Sequence, residues 1–139
     1  MMTLEEKIAR LRERGITLTI QRYAILEFLQ DNKSHPTAEE IYQALRKNFP
    51  TISRATVYNT LELLKGMGII QEINIERYKA HYDYRIEPHH HFLCRRCDRI
   101  YDVELNECPI PNTDRVNGHR VDELKLHIIG VCSECLRKG

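Results

Sequence analysis

Five cysteines and seven histidines in 139 residues are the groups best able to do chemistry in this chain. Four of the cysteines form two Cys-x-x-Cys pairs, Cys94/Cys97 and Cys132/Cys135. Zinc favours four soft ligands in a tetrahedron, and a CxxC turn delivers two thiolates to one point, so a second CxxC completes the set. No βαβ pattern surrounds either pair, as it would in a thioredoxin-type redox protein. The two pairs lie far apart in sequence, so a β element and a short linker must fill the gap. Cys108, between Glu107 and Pro109, has no such partner and reads as a free buried cysteine.

A second group of donors lies nearby. His89-x-His91 immediately precedes the first CxxC. In an extended segment residues i and i+2 face the same way, so both imidazoles can reach one ion while His90 faces the other way. Asp83, Asp102 and His35 supply further ligand types. Mixed imidazole and carboxylate donors suit Fe(II), Mn(II) or Zn(II) at a site without thiolate. Taken singly, His35, Asp83 and Asp102 are ordinary surface or capping residues, and spacing alone does not bring His35 to Asp102.

These residues must be positioned by the elements around them. Leu4, Ile8 and Leu11 recur at helical spacing up to Gly15. A second helix starts after Thr19 and turns Ile25, Phe28 and Leu29, with Tyr23 or Ala24, inward. A third opens at Thr37, with Glu40 three residues on as in a capping box, and carries Ala38, Ile41, Tyr42, Leu45 and Phe49 to a stop at Pro50. A fourth runs from Ser53 to about Lys65, with Val57, Leu61 and Leu64 on one face, and Gly66-Met67-Gly68 ends it. The period then changes to two. Ile73 and Ile75 alternate with polar residues, Glu76-Arg77-Tyr78 turns the chain, and Ala80, Tyr82, Tyr84 and Ile86 alternate with His81, Asp83 and Arg85.

Helices followed by a hairpin describe a winged helix-turn-helix. The remainder predicts short β runs around the cysteine pairs, at Phe92 to Cys94, Arg99 to Glu104 and Arg120 to Ile129. The expected class is α+β, with a winged-helix domain over 1–86 and a small zinc-stapled α/β domain over 87–139. A segment of about fifty residues rarely buries enough apolar surface to fold unaided, which calls for a metal or a second subunit. On the fourth helix Arg54 projects from the first turn, Ala55, Thr56 and Asn59 face outward, and Tyr58 lies on the flank. The N-terminal part of such a helix enters the major groove of DNA, where Arg suits guanine and Asn adenine.

Composition bounds the possibilities. A hydrophobic share of 42% and a charged share of 29% fit a globular chain. No apolar run approaches the roughly 20 residues that span a bilayer. Met1 to Arg14 lacks the apolar core of a signal peptide, so a cytoplasmic protein with reduced thiols and no membrane partner is expected. The net charge of +1 gives no general affinity for nucleic acid. DNA binding would then depend on a local patch, dimerisation or a bound cation. A zinc enzyme is disfavoured: the cysteine quartet leaves no open coordination position, and neither HExxH nor a deaminase H-x-E is present.

Four segments together resemble the ferric uptake regulator (Fur) family: Ser53-Arg54-Ala55-Thr56-Val57-Tyr58-Asn59, His35-Pro36-Thr37-Ala38-Glu39, His89-His90-His91-Phe92-Leu93-Cys94-Arg95-Arg96-Cys97 and Gly130-Val131-Cys132-Ser133-Glu134-Cys135. The resemblance implies a homodimeric repressor of double-stranded operator DNA, with a winged helix and a C-terminal dimerisation domain. It implies structural Zn(II) at Cys94, Cys97, Cys132 and Cys135. It also implies a regulatory Fe(II) or Mn(II) at His35, Asp83, His89, His91 and Asp102, drawn from both domains.

Asp102 stands where iron-uptake regulators usually carry Glu, as in the peroxide-responsive (PerR-like) branch. That branch implies Fe(II)-dependent oxidation of a ligand histidine, here His35 or His89, as a single stoichiometric event and not enzymatic turnover. The alternative is an iron- or manganese-responsive uptake regulator without peroxide sensing. The extra metal site of several iron-uptake regulators is not reproduced, since Leu124 and the neighbourhood of Pro109 stand at its positions. The stretch from Glu107 to Gly118 holds two prolines where the family has a full dimerisation helix. A shortened helix of one or two turns around Thr113 to Val116 is expected there.

Overall fold

The computed structural model describes residues 2–76, 79–86, 90–104, 114–122, 124 and 126–139, and divides the chain into units 1–87 and 88–139. The first unit contains α1 (Leu4–Glu13), α2 (Ile20–Asp31), α3 (Ala38–Leu45), α4 (Arg54–Gly66), β1 (Gln71–Glu76) and β2 (Lys79–Asp83). Each helix begins the same way. Thr3, Thr19, Thr37 and Ser53 adopt extended backbone, and each hydroxyl accepts a hydrogen bond from the N–H three residues on, at 3.0–3.2 Å. Such caps satisfy donors that a helix start leaves orphaned. At the far end of α4, Gly68 takes the left-handed conformation (φ 70°), and the Ile69 N–H returns to the Leu64 carbonyl at 2.9 Å.

Burial follows the helical period. Ile25, Leu26, Leu29, Ile41, Val57, Leu61 and Leu64 meet Leu11, Ile69, Ile70, Tyr82 and Tyr84 in one apolar core. Phe28 packs only partly buried against it, and Leu26 takes a place not expected from the sequence. The third helix is shorter than predicted: α3 ends at Leu45, and Asn48 and Phe49 donate back to the Leu45 carbonyl in a turn that leads up to Pro50.

The first helix holds a further surprise. Lys7, on the face between Leu4 and Leu11, is 1% exposed. Its ammonium donates to the Ile69 carbonyl at 2.7 Å and to the Tyr84 carbonyl, and lies 3.4 Å from the Tyr84 ring centroid. Two carbonyls and a π face thus replace water around a buried charge. The contact ties α1 to the chain after α4 and to the residue following β2.

In the wing, β1 and β2 pair antiparallel, with Ile73 opposite His81 and an irregularity before Glu76/Lys79. The alternation predicted for β2 holds on one face only. Tyr82 and Tyr84 enter the core, but His81 and Asp83 on the opposite face are also buried, at 6% and 7% exposed. The reason is a second neighbour. Thr37 bridges to His81, and the Tyr82 N–H donates to the Pro36 carbonyl at 2.9 Å, so the segment before α3 covers the free edge of β2.

The second unit contains β3 (His90–Cys94), β4 (Ile100–Val103), β5 (Arg115–Val116), β6 (His119–Arg120), β7 (His127–Gly130) and α5 (Ser133–Arg137). The order β4-β3-β7 combines an antiparallel and a parallel pair. The α+β class is therefore as expected. The helix expected around Thr113 to Val116 is corrected: Arg115–Val116 and His119–Arg120 form a hairpin, and Thr113 lies outside the described residues. Asn117 and Gly118 both have positive φ (51° and 83°), as a two-residue hairpin turn requires, and Asn-Gly is the commonest sequence for it. The long final strand is also shorter: Arg120 and His127–Gly130 are strand, whereas Val121, Asp122, Leu124 and Leu126 are not. Few apolar residues of this unit are buried among those described, chiefly Leu93 and Ile100 beside Cys94 and Cys132.

Replacing Lys7 with Met keeps the apolar stem but leaves the Ile69 and Tyr84 carbonyls without their donor. Urea unfolding should then show a loss of about 1–3 kcal/mol. Unchanged stability would mean that the buried ammonium contributes nothing net.

Candidate metal centres and recognition helix

The four CxxC sulfurs converge in the second unit, all within 4.8 Å of one another. Cys94 Sγ is 3.8 Å from Cys135 Sγ, and Cys97 Sγ is 3.8 Å from Cys132 Sγ. These distances far exceed the roughly 2.05 Å of a disulfide. They match the separation of about 3.8 Å between sulfurs held about 2.3 Å from a central zinc in a tetrahedron. The four-cysteine cluster therefore fits structural zinc.

Local backbone builds the cluster. The first pair lies on the turn between β3 and β4, closed by the Cys94 N–H to the Arg99 carbonyl and the Asp98 N–H to the Cys94 carbonyl. The second pair starts α5, whose N-cap Cys132 accepts the Cys135 N–H at its sulfur. The parallel pairing of β3 with β7, ending at Cys94 opposite Gly130, brings the two turns together. Burial opposes ionisation of Cys94, but N–H groups of Cys132, Cys97 and Arg96 outweigh it and lower its pKa to about 6. A hydrogen bond from the Tyr101 hydroxyl likewise lowers Cys132, while the neighbouring Cys132 sulfur pushes Cys135 up to about 12.

The imidazole and carboxylate donors form one pair in each unit. In the first, the Thr37–His81 bridge carries His35 opposite Asp83, and His35 Nε2 lies 3.4 Å from Asp83 Oδ2. The Arg85 N–H holds the other Asp83 oxygen at 3.0 Å. His35 is 3% exposed and takes a left-handed backbone (φ 59°). That conformation is uncommon for a residue other than glycine and persists where its surroundings fix it. Here His81 does so: its Nδ1 lies 2.7 Å from the His35 carbonyl. No signal in the sequence points to this role, because His81 resembles a solvent-facing strand residue.

In the second unit, β3 sets His91 directly opposite Asp102 on β4, with His91 Nε2 3.4 Å from Asp102 Oδ1. His91 is buried, and its ring meets His127 edge-on across the β3–β7 pairing at 6.1 Å. Both His–carboxylate distances are long for a hydrogen bond. They fit two ligands about 2.1 Å from one ion at a tetrahedral angle, which stand about 3.4 Å apart. The chemistry of each pair fits Fe(II) or Mn(II). His89, expected in the same set, and Cys108 both lie outside the described residues.

On α4, Val57, Thr60, Leu61 and Leu64 are buried, leaving Arg54, Ala55, Tyr58 and Asn59 exposed and Thr56 half-buried. Arg54 does not project freely. Its Nε and Nη2 donate to the two carboxylate oxygens of Glu39 on α3, each at 3.0 Å.

If the cysteine cluster carries the second unit, Cys94→Ser should remove one zinc equivalent per chain and lower the melting temperature sharply. Elemental analysis and calorimetry check both. A fully folded variant lacking zinc would remove the cluster's structural role.

The family model for the ferric uptake regulator family matches residues 13–129. The peroxide-responsive repressor PerR of Staphylococcus aureus (strain Mu50 / ATCC 700699) is 40% identical, over 97% of this chain and 93% of its own length. Among solved structures, PerR from Streptococcus pyogenes is 28% identical with a TM-score of 0.54, covering 92% of this chain and 89% of that one. The Helicobacter pylori ferric uptake regulator shares the fold with a TM-score of 0.80 at 22% identity, covering 97% and 95%. The chain belongs to the ferric uptake regulator family of metal-responsive transcriptional regulators.

Proposed function

We propose that the chain is a cytoplasmic repressor that binds operator DNA as a homodimer when a divalent ion occupies a site built from His35, Asp83, His89, His91 and Asp102. The observation that carries this reading is the preformed His–carboxylate pair in each unit, His35–Asp83 and His91–Asp102. Residues 1–86 are the DNA-binding part and 87–139 the dimerising, zinc-stapled part, with Cys94, Cys97, Cys132 and Cys135 as the zinc ligands. Reading of the operator falls to Arg54, Ala55, Thr56, Tyr58 and Asn59.

An ion that draws ligands from both units favours the arrangement in which they meet. If operator DNA favours the same arrangement, each ligand raises the affinity for the other by the same factor. Asp83 is suited to transmit this, because its carboxylate is fixed by the Arg85 N–H just where β2 ends and Tyr84 is anchored by Lys7.

The finer reading is peroxide sensing, supported by Asp102 and by the 40% identity with the staphylococcal peroxide-responsive repressor. A bound Fe(II) would supply the one-electron chemistry that turns peroxide into an oxidant of an adjacent imidazole. His35 and His89 are the candidates for oxidation. An oxidised imidazole is a poorer ligand, so metal and DNA would be released together.

Asp83→Ala should leave zinc content intact yet abolish the Mn(II)-dependent gain in DNA affinity measured by fluorescence anisotropy; a normal gain would remove Asp83 from the site. For the finer reading, Fe(II)-loaded and Mn(II)-loaded protein each receive one brief dose of peroxide, followed by peptide mass spectrometry. One added oxygen on His35 or His89 in the iron sample alone is expected. Unmodified histidines would leave a metal-responsive uptake regulator as the function.

A further inference from the structure

Glu39 places a carboxylate against the first turn of α4, the part of the helix that would meet a polyanion. A bare carboxylate there opposes phosphate approach, so its position calls for a compensating role. The geometry around it is specific. Glu39 is oriented along its own helix by Gln43, whose side-chain amide donates to Oε1 at 3.0 Å. The same oxygen accepts from Arg54 Nη2 at 3.0 Å, and Oε2 accepts from Arg54 Nε at 3.0 Å. The Arg54 guanidinium also lies over the Tyr42 ring, 4.4 Å from its centroid. Carboxylate, amide and aromatic face together hold a planar group that would otherwise sweep freely.

A guanidinium has five N–H donors. Glu39 takes the side-on pair, one on Nε and one on Nη2. Arg54 keeps its end-on edge, with one N–H from each terminal nitrogen pointing away in parallel. That edge matches the O6 and N7 acceptors of guanine in the major groove. A phosphate is met on less favourable terms, because the guanidinium charge is already shared with a carboxylate.

We propose that Glu39 is a specificity-determining residue of the DNA interface: by holding Arg54 side-on, it converts a mobile cation into an oriented guanine reader and suppresses sequence-independent phosphate binding. The inference rests on the DNA-binding reading above and adds a residue that does not itself face a base. Glu39 acts through Arg54 and is a positioning residue.

The test uses the zinc- and Mn(II)-loaded full chain. Wild-type protein first selects duplexes from a random-sequence pool, and the enriched duplex and its scrambled version then serve as probes. Glu39→Gln keeps the shape and one acceptor oxygen but removes the charge. It should steepen the salt dependence of scrambled-duplex affinity by roughly two units in log–log slope, about one for each protomer of the dimer, as Arg54 turns to a phosphate. Preference for guanine at the Arg54 position should fall roughly five-fold or more. Arg54→Lys retains the charge without the fork, and should lose that preference while binding the scrambled duplex at least as tightly as wild type. Because Glu39 and Arg54 are both exposed, zinc content and melting temperature should not change in either variant. An unchanged or sharper guanine preference in Glu39→Gln would overturn the proposal while leaving DNA binding standing. Wild-type protein that enriches no sequence would overturn the repressor reading and this one with it.

Discussion

An imidazole and a carboxylate taken out of water together need a cation or a shared proton to join them, as His35 and Asp83 do in the first unit, while in the second the buried His91 meets an Asp102 that stays exposed. His35, Asp83 and His91 are all buried. Each histidine reaches its carboxylate through strand register. The segment before α3 pairs with β2 and sets His35 across from Asp83, and β3 pairs with β4 and sets His91 across from Asp102. Cross-strand neighbours are held at short, fixed spacing, so register alone brings each histidine to its carboxylate. His81 fixing the left-handed backbone at His35, and the Arg85 N–H fixing Asp83, add to that placement.

The two units reach order by different means. The first has a conventional apolar core under four capped helices, so α4 can present Arg54, Tyr58 and Asn59 from a rigid base. The second buries few apolar residues among those described, and its turns converge on four sulfurs instead. A zinc bound there would add to what those few apolar residues supply, because metal binding energy is folding energy when the site does not exist in the unfolded chain. The division suits a regulator. In the proposed reading the first unit supplies both the reading surface and, through His35 and Asp83, part of the site that answers to the ion.

Much of this was legible in the sequence because it depends on local rules. Thr or Ser before each apolar-periodic run marks a helix start, and the two CxxC pairs announce a shared metal through spacing alone. One local signal went unread: Asn117-Gly118 marks a hairpin turn in a stretch where the resemblance implies a helix. What otherwise escaped was non-local. Lys7 sits on an apolar stripe and reads as solvated, since only the fold reveals two carbonyls and a tyrosine ring waiting for it. His81 and Asp83 alternate with apolar residues as an exposed strand face would, and nothing local says that the segment around Pro36 will cover them. His35 and Asp83 are far apart in sequence, and only the register of that covering segment brings them together.

In the proposed reading the His35–Asp83 and His91–Asp102 pairs hold one ion, not two. The most direct measurement is a Mn(II) titration followed by electron paramagnetic resonance, on zinc-loaded wild type and on His35→Ala and His91→Ala, one substitution from each unit. A single shared ion requires one tight Mn(II) per chain in the wild type and its loss in both variants. Two tight ions in the wild type, or tight binding retained in either variant, would contradict it.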